Sequence, residues 1–299
     1  MSKNHKKRVN TKPSIIFLGS SDFSLPILDM LYKHFDLKCV VLKSREPTAV
    51  FLYARKNNIK TVLFDELSDL NFSCCDFVVV ASFGKIIPES MVLQYKFINV
   101  HASLLPDLRG ATPIQTALYK GYKVTGVSII LMDAKLDEGD ILSQDKVNID
   151  DDDNYKTLEN KLSLLGSDLL KKTITNFNNI TPVKQDSSKA TYCYIGDFKR
   201  EKAMINWNNT SLDIKNKVRA FYPAWTYLNG SMCNIKEVTL TDIKANKSGH
   251  ILEDTKDLLI GCLDYYIKID LIQKEGKQYV TGRDFKNGMK VKKLMFVSF

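Results

Sequence analysis

The sequence predicts an α/β protein: an N-terminal Rossmann-like, mostly parallel sheet with helices on both faces, plus a smaller C-terminal OB-like β-barrel domain. Three observations carry this. Near-continuous apolar runs separated by helical segments recur from "SIIFLG" to "CDFVVVASFG", as in strands buried on both faces of a parallel sheet. A long amphipathic stretch, "NYKTLENKLSLLGSDLLKKTITNF", closes that half. From about Ile205 the texture changes to short strands joined by polar turns.

The elements follow in order. "SIIFLG" is a first strand, and Ser21 or Asp22 caps a helix whose apolar face is Leu25, Leu28 and Leu31. "LKCVVL", "IKTVLF" and "CDFVVVASFG" are further strands, with "PTAVFLYARKNN" as a helix between the first two. "TPIQTALYKG" is a short helix, and "TGVSIILM" and "DILSQDKVNI" are strands around the acidic turn "DAKLDEGD". In the long helix Leu158, Leu162, Leu165 and Leu169 recur at helical spacing and are assigned to the core. After it, "SLDIKNKVRAF" is a helix, and "TYLNGSMCNIKEVTL", "SGHILED", "LLIGCL" and "YYIKIDLIQKEG" are short strands. The domain plan is a disordered basic tail over 1–13, a catalytic domain over 14–180, a polar linker over 181–204 and a C-terminal domain over 205–299.

With 299 residues, 44% hydrophobic and 26% charged, the chain is long enough for proper cores. No apolar run approaches the ~20 residues of a membrane span, and "MSKNHKKRVNTKPS" has no apolar signal core, which predicts a cytoplasmic protein of a bacterium or one of an organellar matrix. The six cysteines form no CxxC pair and the four histidines are scattered, so metal-free catalysis is expected. "FLGSSDF" has one glycine where a dinucleotide fingerprint needs three, which discounts nucleotide binding. A net charge of +9 fits an anionic partner such as a nucleic acid and equally fits a Lys-rich chain that binds none.

The chemistry concentrates in "FINVHASLLPDLRG". Residues two apart on a strand share a face, so Asn99 and His101 point together at the strand's carboxyl end, where open α/β sheets bind ligands. Asn supplies an N–H for a developing oxyanion and His moves a proton near neutral pH, a pair suited to acyl transfer. Asp137, Glu138 and Asp140 in "LDEGD" are candidate carboxylates to balance the imidazole, and Gly139 lets that turn bend closely. Ser103 lacks a GxSxG elbow, which favours direct transfer over a covalent acyl-enzyme. The same Asn and His also suit a purely structural role as turn caps and buried polar groups.

"NVHASLLPDLRGATPIQTAL" followed by "TGVSIILMDAKLDEGDIL" resembles the signature of the folate-dependent formyltransferases. "IIFLGSSDFSLPILDML" and "VVVASFGKIIP" extend the likeness, and "INW", "VRAFYPAWTYLNG" and "DFKNGMK" resemble the C-terminal domain of members acting on methionyl-tRNA. The resemblance implies transfer of a formyl group from 10-formyltetrahydrofolate to the α-amino group of methionine on initiator tRNA, by a monomer. It implies catalytic roles for Asn99, His101 and Asp137, with Asp140 second choice, and a folate site at Ser103, Leu104, Leu105 and Pro106 bordered by Phe83 and Ile86. Arg109 matches a family arginine that shapes the loop, while Asp107 departs from a position usually basic or aromatic. A larger departure is that "VVLKSREPTAVFLYARKNN" passes from strand to helix without the basic insertion that engages tRNA in bacterial members, leaving Lys43 and Arg45. Arg283, Lys290, Lys292 and Lys293 are the compensating candidates for phosphate contact, and the lysines fit a solvated face equally well. The alternatives are a formyltransferase for a small amine, such as an amino sugar or a glycinamide ribonucleotide, a formyl-folate hydrolase, and a non-catalytic RNA-binding protein.

Overall fold

The computed structural model describes residues 12–70, 72–228, 230–288 and 296–297; most of the basic tail and Lys290, Lys292 and Lys293 lie outside these residues. The first sheet is built from strands β1 (Ser14–Gly19), β2 (Asp36–Leu42), β3 (Thr61–Leu63), β4 (Phe77–Ala81), β5 (Phe97–His101), β7 (Val124–Leu131) and β8 (Asp140–Asn148), with β6 (Arg109–Gly110) a short strand outside it. Its order is β3-β2-β1-β4-β5-β7-β8. The first five run parallel, and β7 joins β5 antiparallel with Ser128 opposite His101. β4 is buried along its whole length and β1 from Ile15 onward, as expected of strands covered on both faces.

Helices α1 (Ser24–His34), α2 (Ala49–Lys56), α3 (Glu89–Gln94), α4 (Pro113–Tyr119) and α5 (Tyr155–Thr175) follow the strands. α1 buries Ile27, Leu28, Met30 and Leu31. Neither Ser21 nor Asp22 caps it through a side chain. Their backbone carbonyls accept from Ser24 and Leu25 instead, and the N-cap position falls to Phe23. α3 escapes a periodicity reading because it is short and opens after Pro88. β2 ends at Leu42 and α2 begins at Ala49, so strand leads to helix through one short connection, with Thr48 capping the Phe51 N–H. α5 approaches closely because its inner face is small: Ser163 and Ser167 donate to the Phe23 and Pro26 carbonyls at 2.6 and 3.1 Å. Leu158, Leu162 and Leu169 of α5 are core, as their spacing predicts, whereas Leu165, assigned to the core on the same spacing, is only half-buried.

The chain divides into two compact units, Met1–Arg109 with Gly126–Lys146 and Asn160–Ala190, and Gly110–Thr125 with Val147–Glu159 and Thr191–Phe299. In the second, short strand β9 (Tyr192–Cys193) precedes α6 (Ser211–Phe221). Then come β10 (Ala224–Leu228), β11 (Ser231–Lys244), β12 (Leu259–Gly261), β13 (Tyr265–Lys274), β14 (Val280–Thr281), α7 (Gly282–Gly288) and β15 (Phe296–Val297). Their antiparallel sheet runs β12-β13-β11-β10-β15, with β14 beside β13. "SGHILED" does not form a full strand: Ile251 makes an isolated antiparallel bridge with Ile260, carried by bonds from the Gly261 N–H to the His250 carbonyl and from the Leu252 N–H to the Leu259 carbonyl. The core of this unit gathers Trp207, Ile214, Val218, Ile235, Ile260 and Ile267.

Candidate active site

β5 ends the parallel part of the sheet, and its last residues carry Asn99 and His101 on one face. Asn99 Nδ2 donates to Asp137 Oδ1 at 3.2 Å, and His101 Nδ1 faces Asp137 Oδ2 at 3.6 Å. His101 Nε2 lies 2.9 Å from the Leu108 carbonyl. A carbonyl only accepts, so Nε2 carries a hydrogen and Nδ1 is the nitrogen turned toward the carboxylate. When Nδ1 also carries a hydrogen, the ring faces Asp137 as a cation against an anion, largely shielded from solvent. An amide carries two N–H bonds, so the single Asn99 bond to Asp137 leaves one for another oxygen.

The turn that brings Asp137 in lies between β7 and β8 and is tightly constrained. Asp137 has φ of +52°, a left-handed conformation that Asp tolerates better than most residues. At Gly139 an added Cβ would overlap the Leu131 carbonyl and come within 3.1 Å of Met132 Cα. Gly139→Ala is therefore expected to lift the turn off β7 and lower activity by about a hundredfold, the cost of roughly 1 Å of misplacement. Steady-state kinetics on a variant with unchanged circular dichroism checks this; full activity would mean that the turn has slack.

The folate-loop candidates divide by burial. Ser103 and Leu105 are buried, while Leu104 and Pro106 are partly exposed. Ser103 Oγ donates to the Asp107 carbonyl at 2.6 Å, and the Leu104 carbonyl accepts from the Asp107 N–H at 3.1 Å. Ser128 on β7 donates to the Ser103 carbonyl at 2.6 Å and accepts from the Leu105 N–H at 3.0 Å. Gln144 on β8 donates to the Leu105 carbonyl at 2.8 Å. Leu105 therefore has both backbone groups committed to the loop's own shape, which leaves Leu104 and Pro106 as its partly exposed side chains. Ser128 and Gln144 escape sequence reading; the one available signal is a polar residue inside each strand, Ser in "TGVSIILM" and Gln in "DILSQDKVNI".

The other candidates separate. Phe83 is a core residue packed on Phe64 at 5.4 Å between centroids, whereas Ile86 is 94% exposed. Asp140 opens β8, and the carboxylate that meets Asn99 and His101 is that of Asp137. Glu138 pairs with Arg109 at 3.2 Å. Arg283 is engaged with Asp257 at 2.9 Å.

Burial pushes the thiols of Cys39, Cys75 and Cys233 up to about 11 and that of Cys262 to about 12, so none of these is a thiolate nucleophile near neutral pH. Among the described residues, no group of three or more His, Cys, Asp or Glu side chains is arranged to hold a metal ion. No helix among them is long and apolar enough to cross a membrane.

A mostly parallel α/β sheet whose strand ends gather Asn, His and Asp around one point, followed by an antiparallel domain, defines a group-transfer enzyme. Comparison with known proteins supplies the particular group: residues 29–174 match the family described as formyl transferase, and residues 197–290 match the formyl transferase C-terminal domain. The chain belongs to the formyl transferase family. It is 36% identical over 309 residues to a methionyl-tRNA formyltransferase of Caldicellulosiruptor saccharolyticus, covering 93% of this chain and 98% of that protein. A methionyl-tRNA formyltransferase of Hydrogenobaculum is 34% identical over 295 residues, with coverage of 92% and 96%. The fold is shared with the crystal structure of an N-formyltransferase from Helicobacter canadensis, with a TM-score of 0.68 at 23% identity, covering 87% of this chain and 98% of that one.

Proposed function

We propose that this protein transfers the formyl group of 10-formyltetrahydrofolate to the α-amino group of methionine esterified to initiator tRNA. The observation that carries this reading is the meeting of Asn99, His101 and Asp137 at the carboxyl end of β5. Similarity over nearly the whole chain to methionyl-tRNA formyltransferases, including their C-terminal domain, supports the choice of acceptor.

The amine nitrogen attacks the formyl carbon and the carbonyl electron pair moves onto oxygen, where the second N–H of Asn99 stabilises the growing charge. The nitrogen that attacked must lose a proton. His101 takes it at Nδ1, because Nε2 is committed to the Leu108 carbonyl, and Asp137 opposite Nδ1 stabilises the resulting imidazolium. Collapse of the tetrahedral intermediate breaks the bond from the formyl carbon to the folate nitrogen, which leaves with the proton that His101 gives back, so the imidazole returns to its neutral form. The products are N-formylmethionyl-tRNA and tetrahydrofolate, with no covalent enzyme intermediate.

On the folate side, the partly exposed Leu104 and Pro106 fit an apolar rim for the pterin, and the fixed 103–108 loop supplies its shape without reorganisation on binding. Functionally, residues 14–180 act as the catalytic domain and 205–299 as the tRNA-directed domain. The test is an acceptor assay with formyl-labelled 10-formyltetrahydrofolate, offered methionyl-tRNA beside glycinamide ribonucleotide, amino sugars and water alone. Label on the methionine amine is expected. Folate turnover that leaves the tRNA unlabelled would replace this reading with small-amine transfer or hydrolysis.

A further inference from the structure

Behind the acidic turn sits an arginine that a sequence reading assigns to loop shape. Arg109 is 1% exposed, and a guanidinium is buried at such depth only when its donors are satisfied. Its Nε and Nη2 donate to the same oxygen, Gln185 Oε1, at 3.0 and 2.8 Å, and its Nη1 lies 3.2 Å from Glu138 Oε1. Arginine only donates, so the orientation of the Gln185 amide is fixed: oxygen toward Arg109, nitrogen away from it. That nitrogen donates to two backbone carbonyls, those of Asp137 and Gly139, at 2.8 Å each. Three consecutive residues of the turn are thus gripped by the buried Arg109 and the half-buried Gln185, through the carbonyl of Asp137, the carboxylate of Glu138 and the carbonyl of Gly139.

We propose that Gln185, oriented by Arg109, is a positioning residue that sets the Asp137 carboxylate against Asn99 and His101. The inference rests on the formyl-transfer reading for its kinetic consequence and on geometry alone for its structural one. Asp137 sits in the left-handed region, a conformation that persists where its surroundings over-determine it. Gln185 bonds the carbonyls on either side of Glu138, which fixes the peptide planes of that turn and hence the direction of the Asp137 side chain. The Gln185 bonds go to Arg109 and to the turn backbone, so its influence on the carboxylate runs through the Asp137 main chain. Gln185 lies 48 residues from Asp137 and 76 from Arg109, in a stretch whose composition reads as a linker. The segment therefore has a fixed role in the first unit.

The sharp test is Gln185→Glu. The new carboxylate has the same size and still accepts from Arg109, but it presents oxygen to two carbonyls where an NH2 group stood. The expected result is a folded protein whose kcat falls by about a hundredfold, while KM for methionyl-tRNA stays unchanged. Added to Asp137→Ala, the same substitution is expected to cost nothing further, because both changes act through one carboxylate. The His101 Nδ1 resonance of Gln185→Glu is expected to move toward its position in Asp137→Ala. If Gln185→Glu does not fold, Gln185→Met, similar in volume and without those bonds, carries the same comparisons. Wild-type kcat in the folded variant, losses that add in the double variant, or an unmoved Nδ1 resonance would each overturn the proposal. If the wild-type protein forms no formylmethionyl-tRNA, the substrate reading falls and the resonance alone decides the role of Gln185.

Discussion

Asp137→Ala, His101→Ala and Asn99→Ala are each expected to lower kcat for formyl transfer by at least about a hundredfold, the usual cost of removing one preorganised group from a site of charge development. The three losses have different origins. Without Asn99 the oxygen that becomes negative loses its donor, and one Asp137 oxygen loses its 3.2 Å hydrogen bond. Without His101 the proton of the attacking amine has no acceptor on the β5 end. Without Asp137 the imidazole keeps its bond to the Leu108 carbonyl, and hence its position, but loses the anion that stabilises its charged form. Asp137→Asn separates shape from charge, since it keeps an oxygen for Asn99 while removing the negative charge opposite Nδ1. Its loss is expected to approach that of Asp137→Ala if charge dominates. Groups that act as a unit do not add, so the triple variant is expected to be hardly worse than the worst single one. Single-turnover measurements isolate the chemical step from product release; retention of wild-type single-turnover rates by Asp137→Ala would remove the carboxylate from the mechanism.

The sheet was legible because its signal is local. Apolar runs such as "IIFLG" and "FVVVA" are fixed by burial on both faces, and β1, β2, β4 and β5 lie where those runs place them. The strand-end pair was legible for a related reason, since a period of two puts Asn99 and His101 together whatever the rest of the chain does. The choice among carboxylates was not available from spacing. Asp137, Glu138 and Asp140 share one short turn, and spacing does not show the left-handed backbone at Asp137 or the close packing of Gly139 on β7 that accompany the turning of one of them toward the imidazole. Ser128 and Gln144, which fix the loop after His101, act across strands, and Gln185 reaches its partners from a segment without periodicity. Exposure was likewise not legible at Ile86, an apolar residue beside the motif whose side chain is almost wholly in solvent. The α1 cap failed because Ser21 and Asp22 offer backbone carbonyls to the first turn, a bond that any residue type supplies.

In the second unit the largest single effect is expected at Trp207. Its indole is 0% exposed and its Nε1–H donates to Thr226 Oγ1 at 3.1 Å, in a core shared with Ile214, Val218 and Ile235. Trp207→Ala removes the ring from a close-packed interior that collapses only in part, for which about 3–5 kcal/mol of stability is the expected loss. Trp207→Phe retains most of the apolar contact but withdraws the donor, leaving the buried Thr226 hydroxyl without that partner, and is expected to cost about 1–3 kcal/mol. Urea unfolding followed by circular dichroism measures both, and a loss below about 1 kcal/mol for Trp207→Ala would show that the indole is not part of a packed core. Asn99, His101 and Asp137 belong to the first unit and Trp207 to the second, so chemistry and folding separate in the same experiment. The Trp207 variants are expected to shift the unfolding midpoint while leaving the single-turnover rate intact below it, the reverse of the pattern expected for Asp137→Ala.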